Sequence, residues 1–251
     1  LRPVRSDPNV YTVEHFLTPA ELDHLDRLVE ERAKNFKRSH IDDHDGKPGL
    51  DEQRTSDTLV LGKASDSVMR NIERRAADMV CLPADQVEPL QVVSYTDGQR
   101  FDLHHDSGVL LESDDGDGTF RVECGVGPSR VVTFFLYLNS LPPKVGATEF
   151  SLLPMSVTPR CGTALLFCNV MPDGSPDVRV SHRATPVPAG MRKFGCNLWI
   201  TNACMLAHTL QSHSRPKKSA ARKKHVGVLG QLLADETDYI NAPSSSALIG
   251  L

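Results

Sequence analysis

From Leu90 onward the apolar residues recur with a period of two, and this switch limits the folds open to the chain more than any other feature. Segments rich in β-branched and aromatic residues run from Leu90 to Tyr95, Val131 to Leu138, Thr163 to Phe167, Val178 to Ala184 and Lys193 to Thr201. Gly, Pro, Asp and Asn clusters separate them, as turns between strands require. Before Leu90 the period is helical. Thr18, Pro19 and Glu21 have the form of a capping box with proline at the first helical position, and Leu22, Leu25, Leu28 and Val29 follow at helical spacing to about Ala33. Val68, Met69, Ile72, Ala76, Met79 and Val80 make a second stripe that ends at the Leu82-Pro83 step. Helices followed by a run of strands predict a mainly β domain with flanking helices, a sandwich or jelly roll.

A chain of 251 residues, 39% of them hydrophobic, can bury one core of this kind. We assign it to residues 1–206 and read residues 207–251, where the alternation stops and Arg215, Lys217, Lys218, Arg222, Lys223 and Lys224 cluster, as a polar, partly basic tail or linker. Two inner stretches read as surface loops: Lys37 to Ser56, where His40, Asp42, Asp43, His44 and Asp45 crowd together, and Glu112 to Gly118. A net charge of −4 gives no global reason to expect a nucleic-acid partner, and no apolar run reaches the roughly 18 residues that span a bilayer. The six cysteines show no C-x-x-C pair and read as reduced and structural. The sequence begins at Leu1 rather than Met, which reads as a chain trimmed at its N-terminus, so the compartment, endoplasmic reticulum lumen or cytoplasm, stays open.

The chemistry concentrates between Tyr95 and Asp106. His104 and Asp106 are two apart, so on a strand both side chains leave the same face while His105 points the other way. A histidine and a carboxylate on one face supply two ligands of a facial triad that leaves positions open on Fe(II). The pair also arises by chance, and a third ligand must come from another strand. His182 lies in a segment of strand composition that Thr185 to Gly190 turns into the next strand. On that next strand a cation could meet the free carboxylate of a metal-chelating keto acid, and Arg192 and Lys193, on opposite faces, are the candidates.

Taken in order, these segments resemble the prolyl 4-hydroxylase branch of the 2-oxoglutarate oxygenases. Tyr95, Gly98, Gln99, Phe101, His104 and Asp106 follow that family's pattern of tyrosine, Gly-Gln, an aromatic and H-x-D. Val145 to Phe150 resembles its G-G-E-T-x-F strand, Cys161 to Phe167 its G-x-A-L-L-F strand, and His182 to Val187 its H-x-A-x-P-V segment. Arg54 to Ser56 resembles the R-T-S segment near its peptide groove. The family's lysine usually stands ten residues after the second histidine, which here is Arg192. Counting back from its N-x-W, here Asn197 to Trp199, gives Lys193, and a one-residue insertion in the turn accounts for the offset.

The resemblance implies a double-stranded β-helix with metal ligands His104, Asp106 and His182, and with 2-oxoglutarate contacts from Lys193, Tyr95 and Thr148. It makes Arg54, Arg130 and Trp199 candidates for the peptide groove. The implied reaction is hydroxylation of proline in a peptide or protein, dependent on Fe(II), O2 and 2-oxoglutarate, with ascorbate as reductant. Hydroxylation of another side chain or a small molecule, and a catalytically silent peptide-binding barrel, remain the alternatives.

Overall fold

The computed structural model describes residues 1–39, 41–42, 48–49, 52–112 and 118–205. The tail assigned to 207–251, most of the His40 to Gly46 cluster and the centre of the Glu112 to Gly118 stretch lie outside them. Two antiparallel sheets form the body. The larger has eight strands in the order Arg2–Ser6, Asn9–Val13, Ala164–Cys168, Arg130–Tyr137, Arg192–Thr201, Gln91–Thr96, Asp57–Val60 and Lys37–Arg38. The smaller has four, ordered Met155–Val157, Thr148–Phe150, His182–Ala184 and Phe101–His104.

Strand parity sorts the side chains of the large sheet. Val92, Val132, Phe134, Leu136, Leu166, Cys196, Leu198 and Ile200 share one buried cluster with Met69, Ile72 and Ala76 of the second helix. The alternate residues, among them Tyr95, Phe135, Phe167, Lys193 and Trp199, line the cavity that faces the small sheet. Gly195 belongs to this second set. A Cβ there would stand 2.3 Å from Phe135 Cζ, so only a glycine lets that ring lie across the strand.

Both helices begin on side-chain caps. Glu21 N–H donates to Thr18 Oγ1 and Thr18 N–H to Glu21 Oε2, and Pro19 opens the helix Pro19–Glu31. Glu21 also accepts from Arg75 at 2.6 and 3.0 Å, which ties this helix to Ser67–Met79. Asp66 caps that second helix and meets His24 at 3.0 Å.

Several boundaries differ from the sequence-based expectation. Strands Arg2–Ser6 and Asn9–Val13 precede the first helix, although the charged, proline-containing first segment carries no alternation. The ends of the Lys37 to Ser56 stretch are not loop: Lys37–Arg38 pairs with Asp57–Val60, and Ser39, Arg54 and Ser56 are buried. Val178 to Ala184 is not one strand. Asp177 accepts from the Arg179 N–H and winds Val178–Val180 into a 3₁₀ turn before the strand His182–Ala184 begins. All six cysteines are free, but only Cys196 is buried, and Cys81 and Cys161 are exposed. Among the described residues no helix is long and apolar enough to cross a membrane.

Candidate active site

Antiparallel pairing puts His182 directly opposite His104 at one end of the small sheet. The strand stops at His104, and Asp106 sits in the following turn, closed by a His105–Gly108 bridge, rather than on the strand with His104 as expected. Turn-forming Asp106, Ser107 and Gly108 explain the early stop. The carboxylate still reaches the histidine side. Its oxygens lie 3.7 Å from His104 Nε2 and 3.9 Å from His182 Nε2. His105, turned away, braces the turn: its Nε2 donates to Asp177 O at 3.0 Å, and its Nδ1 accepts from Ser107 N–H.

The tautomers follow from the partners. His104 Nδ1 lies 2.9 Å from Asp102 O, and His182 Nδ1 lies 3.0 Å from Val180 O. A carbonyl only accepts, so each Nδ1 carries the proton and each Nε2 presents a lone pair toward Asp106. Burial and the neighbouring His182 hold His104 well below the ordinary histidine range, which keeps that lone pair free. Burial opposes ionisation of Asp106. The two imidazoles in their protonated form, the Thr133 hydroxyl and Arg130 outweigh it and hold the carboxyl well below its usual value. The three ligand atoms lie within 4.8 Å of one another, and two imidazole nitrogens with one carboxylate suit Fe(II). Phe101 stacks on His104 at 3.5 Å, while Phe150 and Phe167 pack around His182, so the rings have little freedom to turn.

Behind the triad the cavity is lined by Tyr95, Phe135, Thr148 and Lys193, with Asn197 and Trp199 on the same wall. Lys193 is 1% exposed, and its ammonium makes no ion pair or hydrogen bond among the described residues. Its ammonium lies 5.2, 5.0 and 5.9 Å from the ring centroids of Tyr95, Phe135 and Tyr137. Burial without a counter-charge pulls its pKa down to about 7. Arg192 is exposed on the opposite face. Thr148 shares a hydrogen bond with the buried Tyr137 hydroxyl at 2.9 Å.

The candidates for the peptide groove are less alike. Trp199 lines the cavity, and its buried Nε1 has no hydrogen-bond partner among the described residues. Arg130 stacks over that indole at 3.5 Å and holds Glu88 at 2.7 and 2.9 Å. Arg54 is buried behind Phe101, 4.9 Å from its ring, and donates to Gln91 Oε1. Sequence reasoning missed Phe135 and Asn197 on the cavity wall and Thr133 behind Asp106. The signal was parity, since Thr133 and Phe135 share a face with Tyr137, and Asn197 shares one with Lys193.

Comparison with known proteins adds an independent line. Residues 90–201 match the model of the 2OG-Fe(II) oxygenase superfamily. The chain is 32% identical over 222 residues to prolyl 4-hydroxylase 2 of Arabidopsis thaliana, covering 80% of this chain and 69% of that protein. It is 30% identical over 226 residues to probable prolyl 4-hydroxylase 4 of the same plant, covering 80% and 70%. Its fold matches a viral collagen prolyl hydroxylase of Paramecium Bursaria Chlorella virus-1, solved as a 2OG complex, with a TM-score of 0.55 and 20% identity over 76% of this chain and 95% of the other. A Trichoplax adhaerens prolyl hydroxylase in complex with a hypoxia inducible factor peptide fragment matches at TM-score 0.52 and 16% identity, over 81% and 87%.

Proposed function

The chain belongs to the prolyl 4-hydroxylase family of 2OG-Fe(II) oxygenases, and we propose that it hydroxylates proline in a peptide or protein, with Fe(II) held by His104, Asp106 and His182. One observation carries this reading beyond the likeness. Two imidazole lone pairs, an ionised carboxylate and a lysine with no counter-charge among the described residues converge on one cavity.

Each group has a separate task. His104, Asp106 and His182 would hold the metal through three ligands, and 2-oxoglutarate and O2 would reach it from the cavity that the three residues line. Fe(II) so held would supply oxygen activation, with one oxygen atom ending on the substrate carbon and the other in succinate as CO2 leaves. Lys193, Tyr95 and Thr148 receive the distal carboxylate of 2-oxoglutarate, and the aromatic rings around Lys193 exclude the water that would compete for it. Trp199 and Arg130 form the wall on which we place the peptide, with Arg54 behind Phe101 fixing the opposite side.

Coupling tests the proposal against a silent binding barrel and against hydroxylation of a small molecule. With Fe(II), ascorbate and 2-oxoglutarate, proline-containing peptides should stimulate succinate formation in a one-to-one ratio with hydroxylated product. Succinate formation that no peptide stimulates would remove the peptide substrate from this account. No succinate under any condition would remove catalysis.

A further inference from the structure

Behind the carboxylate of Asp106 lies a short buried chain of hydrogen bonds. Thr133 Oγ1 donates to Asp106 Oδ2 at 2.6 Å, and Asn169 Nδ2 donates to Thr133 Oγ1 at 2.9 Å. Thr133 is 1% exposed and Asn169 is fully buried. Thr133 stands in the central strand Arg130–Tyr137, paired on both sides through Phe167 and Trp199. Asn169 follows directly on Ala164–Cys168 and is pinned by its backbone, which donates to Val131 O and accepts from Asp177 N–H, each at 2.9 Å.

The direction of these bonds is forced. An ionised carboxylate can only accept, so the single hydroxyl proton of Thr133 goes to Asp106. The Thr133 oxygen then needs a donor, and only the amide nitrogen of Asn169 can be one. That choice leaves Asn169 Oδ1 buried and without a partner among the described residues. Leaving a buried carbonyl unsatisfied costs about 1–3 kcal/mol. The opposite amide orientation would turn an acceptor toward Thr133 and compete for the proton that Asp106 receives. Asp106 Oδ1, in contrast, accepts no hydrogen bond among the described residues and lies 3.7 Å from His104 Nε2.

We propose that Thr133 and Asn169 form a relay of fixed polarity that commits one oxygen of Asp106 to the protein and leaves the other as a single-point metal ligand. Thr133 and Asn169 are positioning residues. They act through Asp106, holding its carboxylate plane and preventing both oxygens from turning to the metal, as outer partners of metal ligands commonly do. The inference rests on the reading of His104, Asp106 and His182 as a metal site.

Titration of the full chain with Co(II) alone, without cosubstrate, reads the site through the metal's visible absorption and needs no turnover. Asp106→Ala should lose binding; binding at the wild-type affinity would overturn the metal reading underneath. Thr133→Val, nearly isosteric, should bind Co(II) roughly 10- to 100-fold more weakly and with an altered spectrum, the size expected when an outer partner of a ligand is lost. Thr133→Ser should restore most of the affinity. Wild-type affinity in Thr133→Val, with Asp106→Ala inactive in binding, overturns the relay while leaving the metal site intact. A Thr133→Ser protein as weak as Thr133→Val also overturns it, because the methyl group would then matter and the hydroxyl would not. Asn169→Leu keeps the test usable if Thr133→Val does not fold, since it removes one hydrogen bond together with the unpartnered carbonyl. It should weaken Co(II) severalfold, and unchanged affinity would overturn the fixed polarity.

Discussion

Lys193 and Arg192 differ by one position, and their consequences for 2-oxoglutarate should differ widely. The lysine is enclosed by aromatic rings with no described residue to neutralise it, and the arginine is in solvent. Losing a buried charge-assisted hydrogen bond costs about 1.5–3 kcal/mol, so Lys193→Ala should raise the KM for 2-oxoglutarate roughly 10- to 100-fold. Arg192→Ala should change it little. Metal affinity should survive both changes, and the reverse ranking would move the carboxylate contact to Arg192. The pH dependence has a definite sign. Burial sets the free Lys193 near pKa 7, and a bound carboxylate raises it, so above about pH 7 binding takes up a proton. Affinity for 2-oxoglutarate should therefore be flat with respect to this group below about pH 7 and weaken as pH rises above it. A Lys193→Met protein, measured by direct binding, should lack that weakening. At this scale the sequence was informative because parity from Asn197 and Trp199 separates the two cations without a structure. It was silent on Thr133 and Asn169, whose role depends on a contact 36 residues apart in the chain.

Elements were legible where periodicity is strong and illegible where side chains override it. The capping box at Thr18, the stripe of the second helix and the long strand Arg192–Thr201 follow from local pattern. Asp106 left the expected strand because a Ser-Gly turn follows it, and Val178–Val180 left its own because Asp177 caps a turn there. The strands at Arg2–Ser6 and Asn9–Val13 are recruited by the edge that Ala164–Cys168 offers, a long-range cause no local pattern carries. Gly195 is the point where one element shapes the site through another. Gly195→Ala would drive a methyl group into Phe135, one of the rings around Lys193, and such overpacking costs about 1–3 kcal/mol. Chemical denaturation should show that loss, and the KM for 2-oxoglutarate should rise. Unchanged stability and KM would mean that Phe135 is free to move aside.

The whole molecule brings together ligands that lie 78 positions apart in sequence, from His104 to His182, by setting two strands of the small sheet in register against the large one. The order of weak motifs made this arrangement legible, since no single motif would have specified it. We propose that the catalytic unit closes with the strand ending at Thr201, so a chain ending at residue 206 should keep its fold and its 2-oxoglutarate turnover. Loss of folding in that shorter chain would refute the boundary. We propose that a metal held by His104, Asp106 and His182 places oxygen on proline. Mass spectrometry of proline-containing peptides, incubated with the protein, Fe(II), ascorbate and 2-oxoglutarate under ¹⁸O₂, tests it most directly. The expected product is a peptide carrying one heavy oxygen, located on the proline ring by fragmentation and absent with Asp106→Ala. Unmodified proline across all peptides, oxygen drawn from water, or equal product from Asp106→Ala would contradict it.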